Sequence, residues 1–447
     1  MIIYALAGFF LVLGGGGIYW ILLNPVRGIY LAFFSSGILV TMPLGPLREK
    51  VGLTELVIAI TWAAMVINRK WIFERKFVDG RQRIALLAAL VFLLIYAISC
   101  FVNNASFYGF LIPSVIETAN IVYVVLLMIT MLFLVQTPEQ WKGCLFGWLA
   151  GAAVVSLVGF WAMTGSAPVW AYDEFSGRVS STLRFENQVP SYLVPIMFIA
   201  MVWGALSTTS KLLRFILVSL IAAMAVTLVL TGSRTAFLLI IISLFCMAFI
   251  FLINLKNSSL MTGYLGLVII TSVVSLFLYV GAVIAAYDGH YSLGSTPSWQ
   301  RPVVVLIEGS HSGVIDQSRG RQAELVIANA DDAFILGHGP KLSGVKYRID
   351  EIHNTFAGVF FEAGALGLVS LIILYMALFS CALRFSRSGT MNLLFIAAGV
   401  AFILLCLYGM TMYGLRQRSL WLMCGLLLSI PSVANHINRS VHAYPVR

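Results

Sequence analysis

Arg234 stands in the run LTGSRTAFL, between two long apolar stretches, where the chain must turn and begin a new helix. A guanidinium there adds fixed positive charge to the positive end of a helix dipole, which is an anion site on general grounds. Arg321, in GRQAELVIANADDAFI, lies near the start of a second predicted helix. An unpaired cation opposes the dipole at that position, and a bound phosphate would remove the conflict. Arg178 and Arg184 lie in SGRVSSTLRFENQVPSYLVP, a polar stretch leading into an apolar helix from Val189, and either is a candidate for the same pocket. Arginine suits phosphate because its planar, always-charged fork makes bidentate bonds. A plainer role stands beside each one. Arg234 could be a snorkelling helix anchor, Arg321 a partner of Glu324, Asp331 or another loop carboxylate, and Arg178 and Arg184 solvated loop charges.

His353 is the candidate base. It sits in DEIHNTFAGVFFEAGALGLVSL, immediately before a long predicted helix, with Asp350 and Glu351 close in sequence. Imidazole takes a proton near neutral pH, and a carboxylate neighbour could fix its tautomer. A lone histidine is nonetheless more often structural. His290, His311 and His338 lie mid-loop among Gly, Ser and Asp and are weaker candidates. Glu362 follows His353 by nine residues, about 900° at roughly 100° per helical residue. If both were helical they would face opposite ways, so they are not read as an acid/base pair. A carboxylate inside an apolar run is a functional hint by default, and a helix-packing or loop-anchoring hydrogen bond is the favoured role.

Other chemistries find no pattern. No HxxxH, HxH or DxD spacing suggests a metal, and no P-loop, nucleophile elbow or Gly-rich dinucleotide fingerprint occurs, so no cofactor is expected. The six cysteines are scattered, almost all in apolar runs, and form no CxxC pair. They read as small buried hydrophobes. The glycines at 14–17 read as helix packing.

The elements that must carry these residues are set by composition. Of 447 residues, 60% are hydrophobic and 10% charged, with mean hydropathy +0.96. A soluble protein has roughly 25% charged residues, so an ordinary soluble enzyme is excluded. A bilayer-spanning helix takes about 20 apolar residues. Twelve charge-free runs of 18 or more residues occur, at 1–26, 28–47, 84–116, 118–138, 143–172, 187–210, 215–233, 235–255, 257–287, 363–383, 388–415 and 419–438, and a thirteenth, 51–68, is interrupted only by Glu55. The expected fold is all-α: a polytopic transmembrane bundle of 12–13 spans, with one long loop containing an amphipathic helix. Non-alternating apolar runs exclude a β-barrel. The N-terminal run lacks a basic start and is read as a retained first helix.

Six basic residues against two acidic ones in 69–83 place that segment in the cytoplasm by the positive-inside rule. The loops near Lys142, Lys211 and Arg214, Lys256, and Arg384 and Arg387, together with the tail carrying Arg439 and Arg447, fall on the same side. Segments 103–114, 165–188, Gly232–Arg234, 287–354 and 414–418 are then external. The net charge of +10 is accounted for by those cytoplasmic loops, and nucleic acid is not an expected partner. Expected units are helices over 1–286, a long external loop over 287–354, and helices with a short tail over 355–447. The loop holds eight acidic and six basic residues and four of the six histidines. Within it, Ala323, Val326, Ile327, Ala330, Ala333 and Phe334 share a helical face, which predicts an amphipathic helix over about 319–334 packed on the membrane domain. The anomaly is arginine on the external side: Arg178, Arg184, Arg234, Arg301, Arg319, Arg321, Arg348, Arg416 and Arg418 all oppose the topological bias, so anions or acidic neighbours must hold them.

Three segments in this order, LTGSRTAFL (230–238), GRQAELVIANADDAFILGHGPKL (320–342) and IHNTFAGVFFEAGALGLVSL (352–371), resemble the O-antigen ligase and polymerase superfamily of bacterial inner-membrane glycosyltransferases. GRVSSTLRFENQVPSYLVP (177–195) resembles the family's preceding loop and helix. The resemblance covers about 177–371. It implies a multi-pass inner-membrane enzyme with a periplasmic active site. Such an enzyme moves a glycan from undecaprenyl diphosphate to an acceptor saccharide, lipid A core or a growing chain, with inversion and without metal or nucleotide sugar. By motif, Arg234 and Arg321 would bind diphosphate, His353 would activate the acceptor, and Arg184 or Arg178 would be a further cationic contact. Two alternatives remain: an O-antigen or exopolysaccharide polymerase of the same superfamily, and, more distantly, a polysaccharide or small-solute transporter. The spans carry few ionisable groups beyond Glu55, Glu117 and Glu362 while the external edge is richly charged, which favours interface chemistry over transport.

Overall fold

A computed structural model describes residues 14–38, 52–68, 78–104, 111–173, 177–206, 211–254, 259–287, 296–297, 299–307, 313–342, 347, 352–384 and 389–443. His290, His311, Arg348, Asp350 and Glu351 lie outside them, as do most of the basic 69–83 segment, Lys256, Arg387 and Arg447.

The protein is an all-α bundle. Its apolar runs form α1 (Gly14–Leu23), α2 (Val26–Ser35), α3 (Leu53–Ile67), α4 (Gly80–Asn104), α5 (Leu111–Leu134), α6 (Pro138–Met163), α7 (Val189–Leu206), α8 (Lys211–Leu230), α9 (Arg234–Asn254) and α10 (Ser259–Ala286). After two short helices, α11 (Arg301–Ile307) and α12 (Gly313–Ala328), come α13 (Thr355–Ala382), α14 (Gly389–Gly409) and α15 (Arg418–Ala443). Among the described residues, eight helices are long and apolar enough to cross a membrane, and five apolar helices are shorter. A two-residue antiparallel pair, β1 (Tyr172–Asp173) and β2 (Arg178–Val179), aligns Tyr172 with Val179.

Helix α7 is the axis. Its apolar stretch is 94% buried, against 22% for the peripheral α8, because its sequence is apolar on every side. It packs on α8 and α14, while α15 packs on α5 and α13, and α13 on α4. Starts are locally encoded. Thr137 accepts from Gln140 N ahead of Pro138, and Asn354 accepts from Phe356 N and Ala357 N at the head of α13. Along α6, Gly143, Gly147 and Gly151 form a small-residue stripe. A Cβ at Gly143 would strike the Tyr30 ring, one at Gly147 the Tyr30 backbone carbonyl, and one at Gly151 the Phe34 carbonyl and the Tyr192 hydroxyl. The stripe lets α2 approach closely.

Side-chain bonds between distant helices gather at the two ends of the bundle. At one end, Arg81 donates to Ser380 O, Gln82 to Leu428 O, and Asn68 to Leu22 O. At the other, Arg418 pairs with Glu55, Arg416 with Glu117, Asn103 with Gly337 O, and Tyr408 with Asn187 O.

The loop helix differs from its expected form. It runs Gly313–Ala328, followed by a 3-10 turn at Asp331–Ala333, rather than over 319–334. Of the expected apolar face, Val326 is buried, but Ala323 is exposed, Ile327 is 75% exposed and Phe334 55% exposed. The helix instead touches the bundle along Gln322, Leu325 and Val326, against His353, Ile352 and Phe361. It stops early because Asn329 folds its amide back onto Leu325 O and the chain is drawn toward α13.

Replacing Gly147 by Leu sets a side chain against a backbone carbonyl that cannot rotate away. Stability should fall by about 2 kcal/mol or more, seen as a lower thermal unfolding midpoint in detergent; an unchanged midpoint would show that α2 and α6 do not pack at this stripe.

Candidate functional site at the loop-bearing end of the bundle

The turn before Arg234 is built by its own side chains. Thr231 Oγ1 accepts from Ser233 N, Gly232 adopts φ +61°, and Ser233 Oγ accepts from Ala236 N, capping α9. Arg234 is therefore the first residue of α9, half-buried at its positive end. Arg178 braces this turn from outside. Its Nε donates to Thr231 O at 2.7 Å, one terminal nitrogen meets Glu186 at 2.6 Å, and the other meets Asn187 Oδ1 at 2.9 Å. Arg184 is exposed and stacks over the Phe185 ring at 4.9 Å.

Arg321 is exposed, at the ninth residue of α12. The helix begins six residues earlier than expected, so the conflict with the dipole does not arise: the first-turn field has faded there. The neighbouring Gln322 accepts a hydrogen bond from His353 N at 2.9 Å, which docks α12 on the segment leading into α13. His353 is exposed just ahead of the Asn354 cap, while Ile352 before it is buried against Val326 and Phe361. Two residues on, Thr355 Oγ1 donates to Met412 O and accepts from Gly414 N. The Tyr408 hydroxyl donates to Asn187 O beside Arg178, and its oxygen lies 3.1 Å from Met412 Sδ. A chain of contacts thus joins the brace of the Arg234 turn to the His353 segment at one end of the bundle.

Carboxylates divide the arginines. Arg178, Arg416 and Arg418 are paired with Glu186, Glu117 and Glu55. Among the described residues, neither Arg234 nor Arg321 has a carboxylate partner. Arg301 is buried and donates to Thr296 O.

Glu362 is a loop anchor, as favoured from sequence. It is buried, and its carboxylate takes the hydroxyls of Tyr96 and Tyr413 and, at 3.2 Å, Lys341 N. Arg416 lies 3.9 Å away, between Glu362 and Glu117, with its guanidinium 4.8 Å from the Tyr413 ring centre. Burial, reinforced by the Glu362 charge, pushes the Tyr413 phenol well above its usual pKa, so it remains a donor. His338 is structural: buried, with Nε2 3.0 Å from Asn329 O and its ring 4.5 Å from that of Phe361. A cavity with room for about one water molecule, lined by Ser191, Thr355, Tyr375, Tyr408, Gly414 and Gln417, lies beneath this end.

Sequence reasoning missed Gln322, Tyr96, Tyr413 and Thr355, which carry no charge and stand out in no pattern. Glu117 and Arg416 were each visible as a charge without a partner, and the bundle supplies each to the other.

Residues 219–372 match the Wzy_C family, described as O-Antigen ligase. The matched span runs from α8 into α13 and includes Arg234, Arg321, His353 and Glu362. It supports the O-antigen ligase superfamily that the motifs resemble, and with it a multi-pass membrane enzyme of glycosyltransferase type. No curated protein matches the chain.

Removing Arg416 would leave two buried carboxylates facing each other, a loss of about 3–5 kcal/mol. Arg416→Ala should therefore accumulate poorly and melt early, with Arg416→Lys partly restored. An Ala variant as stable as the parent would show that the pairing contributes nothing.

Proposed function

We propose that this protein transfers a glycan from undecaprenyl diphosphate to a saccharide hydroxyl at the periplasmic face of the bacterial inner membrane, as an O-antigen ligase-type enzyme of surface polysaccharide synthesis. The units are the helices over 1–286, the external loop over 287–354 and the helices over 355–447. The observation that carries the reading is the division of the arginines. Cations at Arg178, Arg416 and Arg418 have carboxylates, whereas Arg234 and Arg321, within the family-matched span, have none among the described residues.

In the proposed reaction, Arg234 at the head of α9 and Arg321 on α12 hold the diphosphate. Fixed positive charge there stabilises the leaving group where its charge develops. His353 takes the proton of the acceptor hydroxyl, and that oxygen attacks the anomeric carbon. The bond from that carbon to the diphosphate breaks, undecaprenyl diphosphate departs, and the anomeric centre inverts. No metal is required, because the arginines neutralise the leaving group. Arg178, whose guanidinium already meets Thr231, Glu186 and Asn187, holds the Arg234 turn in place, and Arg184 is the more exposed of the two upstream cations.

Purified protein with a lipid-linked donor and several acceptors, in the presence of a chelator, should transfer glycan. Arg234→Ala, Arg321→Ala and His353→Ala should each lose on the order of 100-fold or more while folding normally. Full activity in both arginine variants, or activity abolished by the chelator, would remove this mechanism. The acceptor used separates ligase from polymerase.

A further inference from the structure

Helix α13 is broken nine residues after its start. Gly364 has φ +68° and ψ −168°, and the chain from 334 to 342 fills the gap. His338 N donates to Phe361 O at 2.7 Å, Gly339 N to Glu362 O at 3.0 Å, and Ala365 N to Phe334 O at 2.7 Å. Gly337 lies against the Glu362–Gly364 backbone so closely that an added Cβ would come within 2.5 Å of Ala363 N. Three residues of this clip, Gly337, Gly339 and Lys341, have positive φ, at +70°, +92° and +60°. For Lys341 that is a strained conformation, which persists only where the surroundings over-determine it. What holds it here is the Glu362 carboxylate on Lys341 N, with Asn103 on Gly337 O.

The same clip fixes α12. His338 Nε2 meets Asn329 O just past the end of the helix, and Gln322, seven residues earlier, meets His353 N. Arg321 thus rides on a helix fastened at two points, both belonging to the first turns of α13 and the loop locked on them.

We propose that Glu362 is a positioning residue for the transfer reaction. Its carboxylate, clamped by Tyr96 and Tyr413, locks the 334–342 clip onto broken α13 and so sets where α12 presents Arg321 relative to His353. This rests on the functional reading above. It adds a group that touches neither substrate nor leaving group and acts through Arg321.

A coupled measurement tests it. In otherwise wild-type protein, Glu362→Ala should lower the transfer rate at least ten-fold, with Glu362→Gln, which keeps an acceptor for Lys341 N, losing less. In an Arg321→Lys background the same Ala change should cost under three-fold, because the arginine it positions is already gone. Equal losses in both backgrounds would overturn the proposal, whereas a wild-type protein that transfers no glycan fails the functional reading instead. Amide hydrogen exchange without substrate reads the clamp directly. Glu362→Ala should speed exchange in 337–342 and α12 at least ten-fold and leave α14 and α15 unchanged, and protection equal to wild type would sink the idea. If the Ala variant does not accumulate, Glu362→Gln carries the same comparisons with smaller shifts in the same direction.

Discussion

An apolar environment leaves no water to satisfy a broken helix. Each unpaired backbone N–H or C=O in hydrocarbon costs on the order of several kcal/mol, and α13 exposes such groups around Gly364 by departing from helical geometry there. The groups are satisfied by another stretch of backbone, residues 334–339, which returns from the loop and bonds on both sides of the break. A surface loop is ordinarily the most variable part of a fold. Here a backbone that must be satisfied makes one part of the loop a component of the bundle.

Charge placement follows the same logic. Buried carboxylates at Glu117 and Glu362 sit around one guanidinium, Arg416, with two tyrosine hydroxyls completing the shell. A second pair, Arg418 with Glu55, ties the head of α15 to the head of α3, where the same carboxylate accepts from Gly52 N. These pairs fasten helices distant in sequence at one end of the molecule. Against that background, the cations at the head of α9 and on α12 are set apart, since their electrostatic requirement is not met by a carboxylate among the described residues. Helix dipole and fixed charge add at Arg234; at Arg321 only the fixed charge acts.

Small residues do as much as charged ones to place the site. The α6 glycines bring α2 within backbone contact, Gly337 and Gly364 let loop and helix interlock, and Gly358 leaves room for the Tyr413 ring. In the motif HNTFAGVFFEAGALGL, the asparagine caps, the glutamate anchors, and Gly364 breaks the helix. A pattern that resembles a family signature in sequence is, in space, a device for starting a helix, interrupting it and pinning a loop to the interruption.

Much of this was legible in the chain itself. Hydropathy alone specifies a helical membrane bundle, because a run of about 20 apolar residues has only one stable way to satisfy its backbone in a bilayer. Local chemistry also marks Arg234 as a helix start and Glu362 as an anchor. Three-dimensional packing decided the rest. Periodicity put Ala323, Val326, Ile327, Ala330, Ala333 and Phe334 on the buried face of the loop helix. Val326 is buried as expected, but Ala323, Ile327 and Phe334 are exposed and Gln322 and Leu325 complete the contact, since the surface it meets is created by a helix break that periodicity cannot register. Which arginine finds a carboxylate was likewise invisible, because Arg416 and Glu117 are 299 positions apart in the chain. Partnership of that kind depends on distances in the folded molecule, and sequence order does not encode them locally.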